Sequence, residues 1–161
     1  MKFSLSFLFL LIAFCSKGQI IRTAQGEFID TTTNRSAECG NDISNYYYSL
    51  GTKYPKSSSS LLREVQSLEK ESKSMSSGDG YITFRFTVDC KGKRSTRVEV
   101  LQTDGKYQRI HFDEDYVRFL YNYISTLNEW KVAKSAKDVI YNYHAFITFK
   151  IKNGKVDQVI P

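Results

Sequence analysis

The chain has 161 residues, is 41% hydrophobic and 14% aromatic, and carries a formal net charge of +6. That length suits one domain, and that apolar share excludes a disordered chain. The only prolines are Pro55 and Pro161, which excludes a Pro-rich spacer.

The opening stretch, MKFSLSFLFLLIAFCSKGQ, begins with a lysine, is apolar through residues 3–15 and then turns small and polar. This is the three-part pattern of a secretory signal peptide. Its apolar run is shorter than the roughly 20 residues a membrane-spanning helix needs. Ser16 and Gly18 place a cut before Gln19, so residues 1–18 are set apart from the fold. Two alternatives stay open: a lipid anchor at Cys15, despite the large Phe14 before it, and retention of the segment as an anchor. The expected place is the periplasm, with secretion and anchoring at Cys15 as alternatives. After cleavage no integral membrane span is expected.

Cleavage removes Lys2 and Lys17 and lowers the net charge from +6 to +4. A nucleic-acid binder gathers its basic residues on one face. Here the densest run is KGKRSTR at 91–97, at a predicted turn, and it reads as a solvated hairpin tip; no nucleic-acid partner is expected. Cys39 and Cys90 remain, and an even count in an exported chain favours a disulfide between them. His111 and His144 are the only histidines and lie at no metal-ligand spacing to the cysteines, so no metal and no cofactor are expected.

Residues 19–52 are polar and turn-rich and read as an irregular segment packed on a domain over 53–161. GEFID fits a short strand, and residues 31–45 read as loop. One ring of Tyr46, Tyr47 and Tyr48 is expected to pack on the domain, as ordinary aromatic packing rather than a ligand platform. The serines at 57–60 signal a helix start, followed by Leu61, Leu62, Val65 and Leu68 at helical spacing, with Glu64, Glu69, Lys70 and Glu71 assigned to the opposite side. At Gly80 the period becomes 2. Ile82, Phe84, Phe86 and Val88 alternate with polar residues in a strand over 81–88, and 96–102 returns as its hairpin partner. Asp113 caps a second helix whose apolar face is Val117, Leu120, Tyr121, Ile124 and Leu127. Trp130 follows it, at the end of the core. A long strand then runs over 139–151, and Asn153–Gly154 turns it into a short strand over 155–160. The expected fold is α+β: an antiparallel sheet of about four strands in the order 96–102, 81–88, 139–151, 155–160, with two helices on one face.

Gly80, the alternating strand, Asp89 with Gly92 and Lys93, the run VEVLQT, an acidic helix start and EWKVAK with Trp130, Ala133 and Lys134 stand in one order. That order resembles the C-terminal domain of TonB, an envelope energy-transducing protein. The likeness covers residues 80–161, and Tyr54–Pro55 also matches the family's pair before its first helix. Gly154 is grouped with Gly80, Gly92 and Trp130 as core and motif residues, while Cys90 in the turn and the last strand are additions to the family's ββαβ pattern. The resemblance implies a free-standing, exported, non-enzymatic domain that binds an extended peptide of an envelope protein by strand addition. A TonB-dependent outer-membrane receptor is among the partners it implies. In the family the third long strand takes the peptide. Here the last strand is expected to cover that edge, leaving Thr96, Val98 and Val100 on one outer strand and Val156, Gln158 and Ile160 on the other. The alternative is a structural or accessory envelope protein of the same fold, holding its partner by its faces. No nucleophile stands in a recognisable catalytic pattern.

Overall fold

The computed structural model describes residues 20–23, 26–32, 36–40, 45–72, 75–135 and 137–161. The proposed export segment and Cys15 lie outside them. In chain order the elements are β1 (Ile20–Thr23), β2 (Gly26–Ile29), β3 (Asn45–Tyr46), α1 (Ser58–Ser72), β4 (Gly80–Val88), β5 (Arg94–Thr103), α2 (Glu114–Ser125), β6 (Ala133–Lys134), β7 (Ile140–Tyr141), β8 (Tyr143–Lys152) and β9 (Lys155–Ile160). Among them no helix is long and apolar enough to cross a membrane.

The fold is α+β. Strands β5, β4, β8 and β9 lie in the expected antiparallel order, pinned by the alternation of Ile82, Phe84, Phe86 and Val88 against Ala145, Ile147 and Phe149. The sheet is nevertheless larger than expected, with seven strands rather than about four. The additional three come from the segment read as irregular. β2 pairs with β5 at Val98–Val100, β1 pairs with β2, and β3 runs parallel to β8 at Tyr143 and His144. These strands are two to four residues long, so their own sequence carries almost no periodic signal; their partners' exposed edges create them.

The run over 139–151 also divides. Asn142 interrupts it, because its side chain accepts from Cys90 N at 2.9 Å and donates to Cys39 O at 2.8 Å. Before the break, β7 pairs back on β6; after it, β8 enters the main sheet. The Asn153–Gly154 turn forms as expected, with φ of 51° and 73°. A side chain at Gly154 would also meet Ser76 O at 2.1 Å, so only glycine fits.

Both helices lie on the same side of the sheet, over one core that includes Leu61, Val65, Ile82, Phe84, Leu120, Ile124, Ile147 and Phe149. Asp113 caps α2 by accepting from Asp115 N and Tyr116 N. Trp130 is buried at the end of this core, with Tyr54 and Phe86 at ring-centroid distances of 4.6 and 5.0 Å, and its indole N–H donates to Leu127 O at 3.0 Å. Gly92, in the β4–β5 turn, lies so close to the Trp130 carbonyl that a Cβ there would approach it to 2.6 Å. Gly80 opens β4 against the Thr103 carbonyl. Thus Tyr54, Gly92 and Trp130, far apart in sequence, meet at one corner.

Burial raises the hydroxyls of Tyr116, Tyr123 and Tyr143 above their ordinary range, Tyr143 to about 12. The Glu69 and Glu64 carboxylates push Tyr116 and Tyr123 further up. The folded chain therefore holds these protons to higher pH than the unfolded chain does. This stabilisation is complete below about pH 10 and declines above it, by about 1.4 kcal/mol per pH unit for each such tyrosine until its folded value is passed. Urea midpoints measured at about pH 9, 10 and 11 should fall steeply over the last step; a flat series would contradict the burial of these hydroxyls.

Candidate functional site

The edge expected on β5 is covered, and on the last strand it is covered at Val156. β2 lies on β5, with Ile29 opposite Val98 and Glu27 opposite Val100. Thr96, beyond that pairing, is held by Thr32: its hydroxyl donates to Thr32 O at 2.8 Å. The chain then crosses the β4–β5 turn. Ser36 N donates to Asp89 Oδ2, and Cys39 is bonded to Cys90, with Cα atoms 5.3 Å apart. It reaches the far side at β3. Residues 26–32, 36–40 and 45–46 thus lie along one margin of the sheet, at its end and on the other margin, and are called the strap.

The strap's first strand is secured by a buried charge. Glu27, 1% exposed, accepts from Gln102 Nε2 at 2.7 Å, His111 Nδ1 at 2.9 Å and Arg109 at 3.4 Å. Sequence reading missed it, because one carboxylate in a polar segment carries no sign of burial.

On the other margin, α1 guards β9. Glu69 was assigned to the solvent side, yet it is 5% exposed, while Leu68 is 39% exposed. Its Oε1 accepts from Val156 N at 3.0 Å and from the Tyr116 hydroxyl at 2.6 Å, and Gln66 Nε2 donates to Val156 O at 3.0 Å. The outward backbone groups of Val156 are therefore satisfied by helix side chains. The signal was available: Leu61, Val65 and Glu69 are spaced by four, one stripe of a helix. A bulge next to Lys150 shifts the alternation of β9, so Val156 and Val159 point into the core and Gln158 and Ile160 are exposed. We expect Glu69→Ala to cost about 3 kcal/mol, because it strands a buried hydroxyl and a backbone N–H, whereas Glu69→Gln keeps an acceptor and costs about 1. Equal unfolding midpoints for the two variants would refute that account.

What stays open, among the described residues, is the sheet face opposite the helices. Its central row is Leu101, Thr83, Thr148 and Ile160, one from each of four neighbouring strands, with Leu101 54% and Ile160 49% exposed. The two threonine hydroxyls hydrogen-bond each other at 2.9 Å. The next row holds Glu99, Arg85 and Phe146, and Arg85 pairs with Glu99. Both rows except Ile160, together with Arg109, line a half-open cup of about 450 Å³. At one end Tyr81 stacks on Tyr107, with centroids 5.6 Å apart; at the other, Tyr46 stacks on Tyr48 at 5.4 Å, and Tyr47 meets Phe146 edge-on at 5.0 Å. Tyr46 and Tyr48 remain exposed rather than serving only as packing. Solvent-facing apolar side chains gathered on one face, rather than scattered, mark an interaction surface.

Two other groups lie away from the open face. A hollow of about 360 Å³ at the basic turn is lined by Lys91, Lys93 and Arg94. Lys91 pairs with Glu38 at 2.7 Å, and Arg94 reaches the Ser125 hydroxyl at the carboxyl end of α2, where a cation suits the helix dipole. This supports the hairpin-tip reading. The His111–Glu27 pair has an acid and a base in contact, but the hydrogen bonds around it serve to hold β2. In comparisons with known proteins, no family model, curated protein or solved structure matches this chain.

Proposed function

We propose that this chain is an exported, non-enzymatic, TonB C-terminal-like domain of the cell envelope, placed in the periplasm, that acts as an accessory protein and holds an envelope partner on the open face of its sheet. The observation that carries this reading is the contrast between margins and face. β2 covers β5, β9 covers β8 over Thr148–Lys152, and α1 side chains satisfy Val156, while Leu101, Tyr48 and Ile160 stand exposed together. The disulfide fits an exported protein. The meeting of Gly92 with Trp130 supports the TonB-like reading, since both belong to the pattern that suggested it.

Capture of an extended peptide by strand addition is the second reading, with a TonB-dependent receptor among its partners. One observation favours it: beyond Val156, among the described residues, β9 at Gln158–Ile160 pairs with β8 alone. Photo-cross-linking in living cells separates the two. A benzophenone side chain in place of Leu101 should give an adduct, and one in place of Gln158 should not. The reverse result would establish the edge, and no adduct from either position would overturn both readings.

A further inference from the structure

We infer that the cup on the open face receives the C-terminal residue of a partner polypeptide, an apolar side chain seated between Leu101 and Phe146, with the terminal carboxylate held by Arg85 and Arg109. This rests on the reading of the open face as the working surface and names what it takes.

Size comes first. A cup of about 450 Å³ lies within the range that encloses small ligands, and a flat protein surface would leave it unfilled. Its half-open shape suits a chain end, which enters the cup while the rest of the chain leaves it. Charge comes second. Arg85 is paired with Glu99, Arg109 lies 3.4 Å from Glu27, and Arg97 sits over the Phe28 ring at 4.8 Å. Arg97 is not part of the lining; among the described residues two arginines and one carboxylate line the cup, and Arg109's partner Glu27 is buried behind it, so the lining carries one cation more than it does anions. His111 lies against Glu27 as well, at 2.9 Å, and adds no negative charge. A guanidinium has five N–H donors, so Arg85 and Arg109 keep donors for a ligand carboxylate after meeting their glutamates.

Hydrogen bonding comes third and separates a peptide end from a fatty acid. In the Thr83–Thr148 pair one hydroxyl donates to the other, at 2.9 Å. The second hydroxyl keeps its proton to give. A hydrocarbon tail across it would leave that donor unmet, whereas a peptide carbonyl accepts it. Capture of a chain terminus by a fixed set of donors is an established mode of peptide recognition.

The test titrates the purified, disulfide-intact protein with an N-acetylated hexapeptide of serine and threonine ending in phenylalanine, as the free acid and as the C-terminal amide, followed by amide and methyl NMR shifts. Expected are saturable shifts at Thr83, Arg85, Leu101, Phe146 and Thr148, with the amide about tenfold weaker or worse, as for loss of one charge-assisted contact. Arg109→Gln should abolish the acid-over-amide preference, and Leu101→Ser should weaken both peptides. Equal binding of acid and amide, no saturable shift at millimolar peptide, or tighter binding of octanoate than of the peptide would each overturn the inference. A photo-adduct at position 101 together with any of these results would leave the open-face reading standing and remove only the chain-end assignment. Absence of both would remove the two together.

Discussion

Trp130→Ala should lower stability by about 3–5 kcal/mol and the melting temperature by roughly 15 °C. The indole fills the corner where the β4–β5 turn, the segment before α1 and the segment after α2 converge. It packs on Phe86 and Tyr54 and donates to Leu127 O at 3.0 Å. Truncation opens a cavity that neighbours on three segments cannot jointly collapse into. Trp130→Phe retains most of the ring contact and loses the N–H donor, so it should cost about half as much. Guanidinium unfolding followed by circular dichroism checks both. A Trp130→Ala protein with an unchanged midpoint would show that Tyr54 and Phe86 close the corner without the indole.

Loss of the disulfide comes next in size. Cys39 and Cys90 enclose 51 residues of sequence separation, for which the chain-entropy model gives about 4 kcal/mol. The double variant Cys39→Ser, Cys90→Ser should therefore unfold at markedly lower denaturant, and added reductant should shift the native protein to the same midpoint while leaving the variant unmoved. The damage should also be ordered in space. The bond pins the strap midway between β2 and β3, so amide exchange should quicken first at Ile29, Asn45 and Tyr46 and later in β4 and β8. Uniform acceleration would mean that the strap and sheet open as one unit, and a midpoint within about 1 kcal/mol of the native one would mean that Asn142 and Glu27 hold the strap unaided.

Much of the central architecture was readable from local rules. Alternation marks β4 and β5, a capped amphipathic run marks α2, and Asn153–Gly154 marks the β8–β9 turn, because each signal lies within the element it describes. The disulfide followed from composition. The strap did not follow. GEFID was legible as a strand, yet nothing within it tells that β5 is its partner, and Asn45–Tyr46 is too short to carry a period. Glu69 was misplaced for a related reason. A glutamate on a helix is expected to face water unless something specific awaits it, and what awaits it is a backbone N–H of Val156, 87 residues away.

The candidate site divides the same way. Sequence alone determined the four central strands and their order, though not the break at Asn142, with the helical layer on one face and the cysteine pair, since periodicity, turn chemistry and redox setting are properties of short stretches or simple counts. Tertiary structure decided which strand margins are covered and which surface is left open. An edge is free or occupied only once every other segment has been placed. Among the described residues, β2 occupies the first margin and residues 36–40 lie at the end of the sheet, the Glu69 and Gln66 side chains satisfy Val156 on the second margin, and the row from Leu101 to Ile160 is left facing solvent.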